Sequence, residues 1–135
     1  MNNVTPSPRT ALIVEDDPAL LDVLHEVLTV AGFETTALDC GRPAMRLLAK
    51  QRFDVLLVDV NLPDMSGMIV CDEARERYQD QIVILVMTGL RIQDRRVSSL
   101  QLGADDFLGK PFDPKELVAR IESKLRRVPK ANAAP

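Results

Sequence analysis

The sequence predicts an α/β domain in which helices pack on both faces of a parallel β-sheet. Short apolar runs that suit buried strands alternate five times with segments whose apolar residues recur at helical spacing. The alternation contains no internal repeat, and 135 residues with 46% hydrophobic content suffice for one packed core but not for two domains. We therefore predict a single doubly wound, three-layer domain.

Three strands and two helices are predicted in the first half of the chain. Pro18 lies where a first helical turn tolerates proline, and Gly32 ends that helix. The predicted strands are residues 11–14, 33–38 and 55–58, and the predicted helices are residues 18–30 and 41–51. The side chains expected to face the core are Leu20, Val23, Leu24, Val27, Leu28 and Ala31 in the first helix and Ala44, Leu47 and Leu48 in the second.

The second half continues the alternation with three helices and two strands. A third helix begins near Ser66 and ends before Gln81, and Asp113 followed by Pro114 caps the fifth helix. The fourth helix, residues 91–102, has a narrow apolar stripe, so we expect it to be mobile. The strands are residues 82–87 and 106–109. Inward side chains are expected at Ile69, Val70, Ala74 and Tyr78 in the third helix and Leu117, Val118, Ile121 and Leu125 in the fifth.

Composition excludes several classes of function. The formal net charge of −3 gives no general attraction to nucleic acid, and the two cysteines lack metal-ligand spacing. No apolar run approaches bilayer length and no signal peptide is recognisable, so we expect a cytoplasmic protein without a membrane span. We expect residues 1–9 and 129–135 to be disordered and residues 10–128 to form the domain.

Polar residues with a common chemistry follow four of the predicted strands. Asp59 directly follows the apolar run Val55 to Val58, and Glu15-Asp16-Asp17, Thr88-Gly89 and Lys110-Pro111-Phe112 follow three others. One carboxylate at a strand end is more often simply solvated. In a parallel sheet, however, all four ends open on one edge, where ligands bind. An acidic cluster, a hydroxyl and an ammonium would then converge on a site suited to phosphate or metal chemistry.

These four motifs, in their order along the chain, resemble those of the receiver domain of two-component response regulators, the CheY-like superfamily. The resemblance extends from about Thr10 to Arg127. It implies a flavodoxin-like fold, (βα)5, whose five-stranded parallel sheet has the order 2-1-3-4-5. It also implies a phosphoacceptor signalling domain and not an enzyme, since such a domain catalyses only its own phosphorylation and dephosphorylation.

The resemblance assigns roles to the residues at the strand ends. Asp59 is the phosphoacceptor, and Mg²⁺ is held by the carboxylates of Asp16 and Asp59 together with the backbone carbonyl of Asn61. Glu15 acts on the metal from the outer shell through a water. The Lys110 ammonium and the Thr88 hydroxyl neutralise charge on the transferred phosphoryl group. A cis bond is expected between Lys110 and Pro111.

The resemblance further implies how the signal enters and leaves the domain. The donor is a sensor histidine kinase or a histidine phosphotransfer protein. Thr88 and Phe107 form the switch, and the output surface comprises the predicted helix 91–102, the strand 106–109 and the helix from Pro114, which we call the α4-β5-α5 face. The partner that binds this face is a downstream protein target or a fused output domain. A homodimer through the same face is a further option.

Three other interpretations stay open. The chain can be a receiver cut from a longer transcriptional regulator, or a pseudo-receiver that acts as an interaction module without phosphorylation. A small hydrolase or phosphatase that uses aspartate would need a substrate pocket and longer loops. The presence of Asp16, Asp59 and Lys110 favours a receiver that is phosphorylated.

Overall fold

A computed structural model describes residues 8–89, 103–129 and 131 of the chain. The strands are β1 (Thr10–Val14), β2 (Glu34–Leu38), β3 (Val55–Asp59), β4 (Val83–Thr88) and β5 (Asp106–Gly109). The helices are α1 (Pro18–Val30), α2 (Gly41–Lys50), α3 (Gly67–Tyr78), a short 3₁₀ helix (Gln79–Gln81) and the C-terminal helix (Pro114–Leu125). The predicted helix at residues 91–102, with its expected mobility, lies outside the described residues.

The five strands form one parallel sheet in the order β2-β1-β3-β4-β5. This order and the three-layer architecture confirm the predicted fold class. The three middle strands β1, β3 and β4 are buried along their whole length, which explains their unbroken apolar sequences. The edge strand β2 is only partly covered and accordingly contains threonines and a glutamate.

Two separate core layers lie on the two faces of the sheet. One packs α1 and the C-terminal helix against alternate strand residues and includes Leu24, Leu28, Leu117 and Ile121. The other packs α2 and α3 against the opposite face through residues such as Leu48 and Ala74. Because helices cover both faces of the sheet, ligands can reach it only along its edges. The polar residues that follow the strands lie together at the edge formed by the carboxyl ends of the strands.

Local sequence signals explain where the helices begin and end. Asp17 caps α1 by accepting bonds from the N–H groups of Ala19 and Leu20, and Asp113 caps the C-terminal helix through Lys115 N–H. Gly32 has a φ of 103°, a left-handed conformation that suits glycine after a helix. The predicted helix starts at Pro18 and Pro114 are therefore confirmed.

Two side chains expected to face the core are exposed. Val23 on α1 is 45% exposed and Ile69 on α3 is 50% exposed, so these predictions were wrong. The buried residues of α3 include Met68, Val70 and Cys71, which flank Ile69 in an apolar run of four residues. Such a run carries no periodicity, so only packing against the sheet decides which side chain faces outward. Among the described residues, no helix is long and apolar enough to cross a membrane.

Candidate functional site

Three acidic side chains meet at the carboxyl edge of the sheet. Val14 at the end of β1 pairs with Val58 of β3, so the residues that follow them, Glu15 and Asp59, lie side by side. One carboxylate oxygen each from Glu15, Asp16 and Asp59 lies within 4.8 Å of the others. Glu15 and Asp59 are buried while Asp16 is exposed. Among the described residues, these three form a group that could hold a metal ion.

Lys110 contacts the same cluster across the end of β4, which lies between β3 and β5. It follows β5, and its ammonium donates to Glu15 Oε1 at 2.6 Å and to Asp59 Oδ2. The backbone N–H of Lys110 donates to the carbonyl of Thr88 at 2.8 Å, which continues the pairing of β4 with the residue that follows β5. The peptide bond between Lys110 and Pro111 is cis, which confirms the prediction.

Two pKa values in this cluster are shifted, that of Glu15 by burial and that of Lys110 by its acidic partners. Desolvation by burial raises the pKa of Glu15, although the hydrogen bonds from Lys110 and from the Asp17 N–H oppose this rise. Burial alone would lower the pKa of Lys110, but its hydrogen bonds and charge interactions with Asp59 and Glu15 outweigh that effect and raise it. Lys110 is therefore charged at neutral pH and holds both carboxylates from one side.

The loop between β3 and α3 closes tightly over the end of β3. Asn61 N–H donates to Asp59 Oδ1 at 2.8 Å, and Gly67 N–H donates to the carbonyl of Val60 at 2.6 Å. Asn61 and Ser66 also form an isolated antiparallel bridge across the loop. Both carboxylate oxygens of Asp59 consequently accept a hydrogen bond, one from the loop and one from Lys110.

Thr88 and Phe107 share one face of the sheet. Phe107 is half-buried and packs against the core layer that contains Val86. Thr88 lies two residues after Val86 in β4, so its side chain points to the same face, and it is completely buried. Residue 107 pairs with Val86, which places the two predicted switch residues on adjacent strands.

The structure therefore brings together most of the side chains that the sequence indicated. Glu15, Asp16, Asp59 and Lys110 form one cluster, and the backbone of Asn61 contacts it. Thr88 ends β4, and Phe107 lies in the adjacent strand β5, paired with Val86. The sequence did not indicate Asp64, which joins the loop after β3 to α2, because its partners precede it by 22 and 23 residues.

Comparison with known proteins agrees with this geometry. The family model for the response regulator receiver domain matches residues 11–122. A protein of Galdieria sulphuraria named "Probable transcriptional regulator ycf27" is 39% identical over 119 residues, which are 88% of this chain and 46% of that protein. The chain spans about half the length of the curated relatives it matches.

Two solved structures resemble the whole fold. A CheY-like receiver domain protein from Methanospirillum hungatei JF-1 has a TM-score of 0.79 and 30% identity, covering 88% of this chain and 94% of that one. The receiver domain of the sensor histidine kinase PA1611 from Pseudomonas aeruginosa PAO1, whose structure holds a magnesium ion in its active site cleft, has a TM-score of 0.78 and 30% identity. The match covers 88% of this chain and 98% of that domain. With its sheet order, its acidic cluster opposite Lys110 and these matches, the chain belongs to the family of response regulator receiver domains.

Proposed function

We propose that this receiver domain accepts a phosphoryl group on Asp59, in a Mg²⁺-dependent reaction, from a histidine kinase or a histidine phosphotransfer protein. One observation carries the proposal. Asp59 ends the central strand with two further carboxylates within 4.8 Å and the Lys110 ammonium bound to its Oδ2. Phosphoryl transfer depends mainly on positioning and on neutralising oxygen charge, and this arrangement supplies both.

The donor set suits magnesium. Carboxylate and carbonyl oxygens are the hard ligands that Mg²⁺ prefers. Asp16 and Asp59 supply carboxylates in the cluster, and the resemblance adds the backbone carbonyl of Asn61, whose N–H donates to Asp59. The cluster sets three carboxyl groups against one ammonium, so a divalent cation would offset the excess of acidic groups. When bound, Mg²⁺ would neutralise charge on phosphoryl oxygens. In this proposal Glu15 acts from the outer shell, as the resemblance implies.

The chemistry that we propose uses a carboxylate as nucleophile. An oxygen of Asp59 forms a bond to phosphorus while the P–N bond of the donor phosphohistidine breaks, and the imidazole nitrogen keeps that electron pair. Lys110 donates hydrogen bonds to the incoming phosphoryl oxygens, and the Thr88 hydroxyl does so from the end of β4. A carboxylate attacks phosphorus through an oxygen lone pair, so no separate general base is needed.

The proposed output is a change on the α4-β5-α5 face that a downstream protein, or an output domain in a longer protein, would read. Drawing the Thr88 hydroxyl toward a phosphoryl group would open space on the sheet face that Phe107 shares.

A homodimer through the α4-β5-α5 face stays a prediction. Arg120 there binds Asp106 and Glu116 within the same chain. The cytoplasmic location also stays a prediction.

Amide hydrogen exchange with and without beryllofluoride, a phosphoryl mimic, tests the proposed output. We expect protection to change in residues 88–112 and in the C-terminal helix. Changes confined to α1 and α2 would show that the signal leaves by another surface.

Intact-mass analysis after incubation with acetyl phosphate tests the proposed reaction. With Mg²⁺ we expect one added phosphoryl group, and with excess chelator we expect none. Asp59→Asn, which keeps the shape of the side chain but not the nucleophilic carboxylate, should remain unmodified. Asp22→Asn, at an exposed position on α1, is the matched control and should be labelled like the unsubstituted chain. Equal labelling of Asp59→Asn would refute the assignment.

A further inference from the structure

Asp64, in the loop between β3 and α3, caps a helix to which it is not adjacent in sequence. Its Oδ1 accepts from the N–H of Gly41 at 2.7 Å, and its Oδ2 accepts from the N–H of Arg42 at 2.8 Å. Cys40, at the N-cap position of α2, makes no side-chain capping bond of its own. The bonds from the Gly41 and Arg42 backbones lower the pKa of Asp64, as expected for a carboxylate at the positive end of a helix.

The contact between this loop and α2 is also closely packed. A Cβ atom added at Gly41 would lie 2.5 Å from Cγ and 2.7 Å from Sδ of Met65, the residue after Asp64. A larger residue at the start of α2 would therefore have to displace the Met65 side chain, which shows how closely the loop packs on the helix. Hydrogen bonds and steric fit are independent observations, and both hold the tip of the loop on α2.

The base of the same loop is held at the phosphorylation site. Gly67 N–H donates to Val60 O at 2.6 Å, and Asn61 N–H donates to Asp59 Oδ1 at 2.8 Å. The loop from Val60 to Gly67 is thus fixed to β3 at its base and to α2 at its tip. Asn61 lies between these two attachments, so a displacement of its backbone would strain them.

We propose that Asp64 is a positioning residue for the phosphorylation site, which holds Asn61 where its backbone carbonyl can bind Mg²⁺. The inference rests on the proposed function, since it concerns the metal site proposed there. Mg²⁺ requires near-ideal octahedral geometry with ligands at about 2.0–2.1 Å, so a small displacement of one ligand weakens binding. The hydrogen bonds of Asp64 go to α2 and not to Asp59, so its effect on the site would pass through the loop.

Amide exchange in the metal-free chain tests the mechanical part of this proposal. In Asp64→Ala the N–H groups of Gly67 and Asn61 should exchange faster, because the loop has lost its attachment to α2. Asp113→Ala serves as the matched control, since it also removes an aspartate that caps a helix but leaves the loop untouched. Faster exchange limited to Gly41 and Arg42 would mean that Asp64 is only a cap, and would overturn the proposal.

A Mg²⁺ titration, followed by amide chemical shifts in a ¹⁵N-labelled chain, tests the functional part. We expect Asp64→Ala to bind Mg²⁺ about 3- to 10-fold more weakly, less than the roughly 10- to 100-fold effect of removing a direct partner of a ligand. Asp64→Asn keeps one side-chain acceptor and should fall between, which also covers the case in which the alanine variant does not fold. The Asp113→Ala control should bind as the unsubstituted chain does.

The two proposals fail in different ways. Affinity in both Asp64 variants within about twofold of the unsubstituted value would overturn the positioning role alone, since that change is below the range expected here. If the unsubstituted chain itself shows no saturable shift with Mg²⁺, the proposed metal site is wrong and the positioning role falls with it.

Discussion

At the scale of single residues, Lys110 is expected to affect metal binding and phosphorylation in opposite directions. Its ammonium already binds Glu15 and Asp59, two residues of the acidic cluster, and its positive charge opposes a second cation there. Two charges 4 Å apart interact by about 4 kcal/mol at an effective dielectric constant of 20, and water near this partly exposed side chain reduces that value. Lys110→Met should therefore bind Mg²⁺ about 3- to 10-fold more tightly.

The same substitution should slow phosphorylation by acetyl phosphate at least about 100-fold, because one preorganised donor to the transferred group is lost. Lys115→Met, at an exposed position on the C-terminal helix, is the control and should change neither quantity. Metal titration and the initial rate of mass labelling measure the two effects. A parallel loss of affinity and rate would contradict the arrangement described for Lys110.

Glu15 gives a pH dependence whose sign follows from its environment. Burial raises its pKa above the ordinary value of 4.5, so the folded chain binds this proton more tightly than the unfolded chain. Its stabilising contribution is complete below pH 4.5 and is lost as the pH rises through the folded-state pKa. Glu15→Gln cannot ionise and lacks this contribution.

Urea unfolding of the metal-free proteins at pH values from 4.5 to 7 measures the effect. The stability of the unsubstituted chain relative to Glu15→Gln should fall across this range. A relative stability that rises with pH would mean that Lys110 stabilises the ionised carboxylate more than burial penalises it.

Sequence alone could indicate the site residues but not their mutual contacts. Asp59, Asp16 and Lys110 each follow an apolar run, so their placement at one edge follows from a parallel sheet. The attachment of Asp64 to α2 could not be foreseen, because capping signals are sought within a few residues of the helix that they cap.

At the scale of elements, strand and helix positions were predictable and helix faces were less so. Proline and glycine mark the ends of α1, and its buried residues Leu24 and Leu28 follow helical spacing. Val23 satisfies the same pattern but lies at the margin of the stripe, where a small rotation of the helix exposes it. The strand order came only from the resemblance, since alternation of elements does not fix which strands are neighbours.

The start of α3 shows how closely two elements approach behind the site. A Cβ atom at Gly67 would lie 1.8 Å from the backbone oxygen of Asp59, which cannot move without disturbing β3. We expect Gly67→Ala to lower the free energy of unfolding by at least about 2 kcal/mol, in the range found for overpacked sites. Urea denaturation measures the change.

Gly109→Ala is the matched control for this substitution. An added Cβ at Gly109 meets nothing within 4 Å, and its φ is not positive, so the stability should change by less than about 0.5 kcal/mol. Equal stability of both variants would show that the end of β3 and the start of α3 are further apart than described.

At the scale of the whole molecule, a second polar network lies at the sheet edge opposite the proposed phosphorylation site. Asp54 directly precedes β3 and is completely buried. Its carboxylate accepts from Thr10 N–H and from Ala131 N–H, each at 2.7 Å, and Arg9 lies 3.5 Å away. Arg9 also donates to the carbonyls of Leu125 and Val128, so this network attaches the end of the C-terminal helix to the sheet.

This network could not be foreseen from the sequence, because it joins groups up to 119 residues apart in the chain. Ala131 lies beyond the predicted domain end at residue 128, yet it contacts Asp54. The domain boundaries themselves remain predictions.

Asp54→Ala should destabilise the fold without altering the phosphorylation site. Removing a buried carboxylate that accepts several bonds leaves its donors unpaired and should cost about 2–4 kcal/mol in the free energy of unfolding. Asp22→Ala, on the exposed surface of α1, should cost less than about 0.5 kcal/mol. The initial labelling rate of folded Asp54→Ala should match the unsubstituted chain, since β3 separates the two edges by roughly 15 Å. A slower rate in the folded variant would indicate coupling between the edges.

The most direct test of the central claim is to locate the phosphoryl group on the chain. Borohydride reduces an acyl phosphate to the alcohol, so treatment of the labelled protein would convert a phosphorylated aspartate to homoserine. Tandem mass spectrometry of the peptides then identifies the position. We predict homoserine at position 59 only, and only after labelling in the presence of Mg²⁺. Homoserine at position 16, or phosphate retained on His25 with no reduced aspartate, would contradict the account.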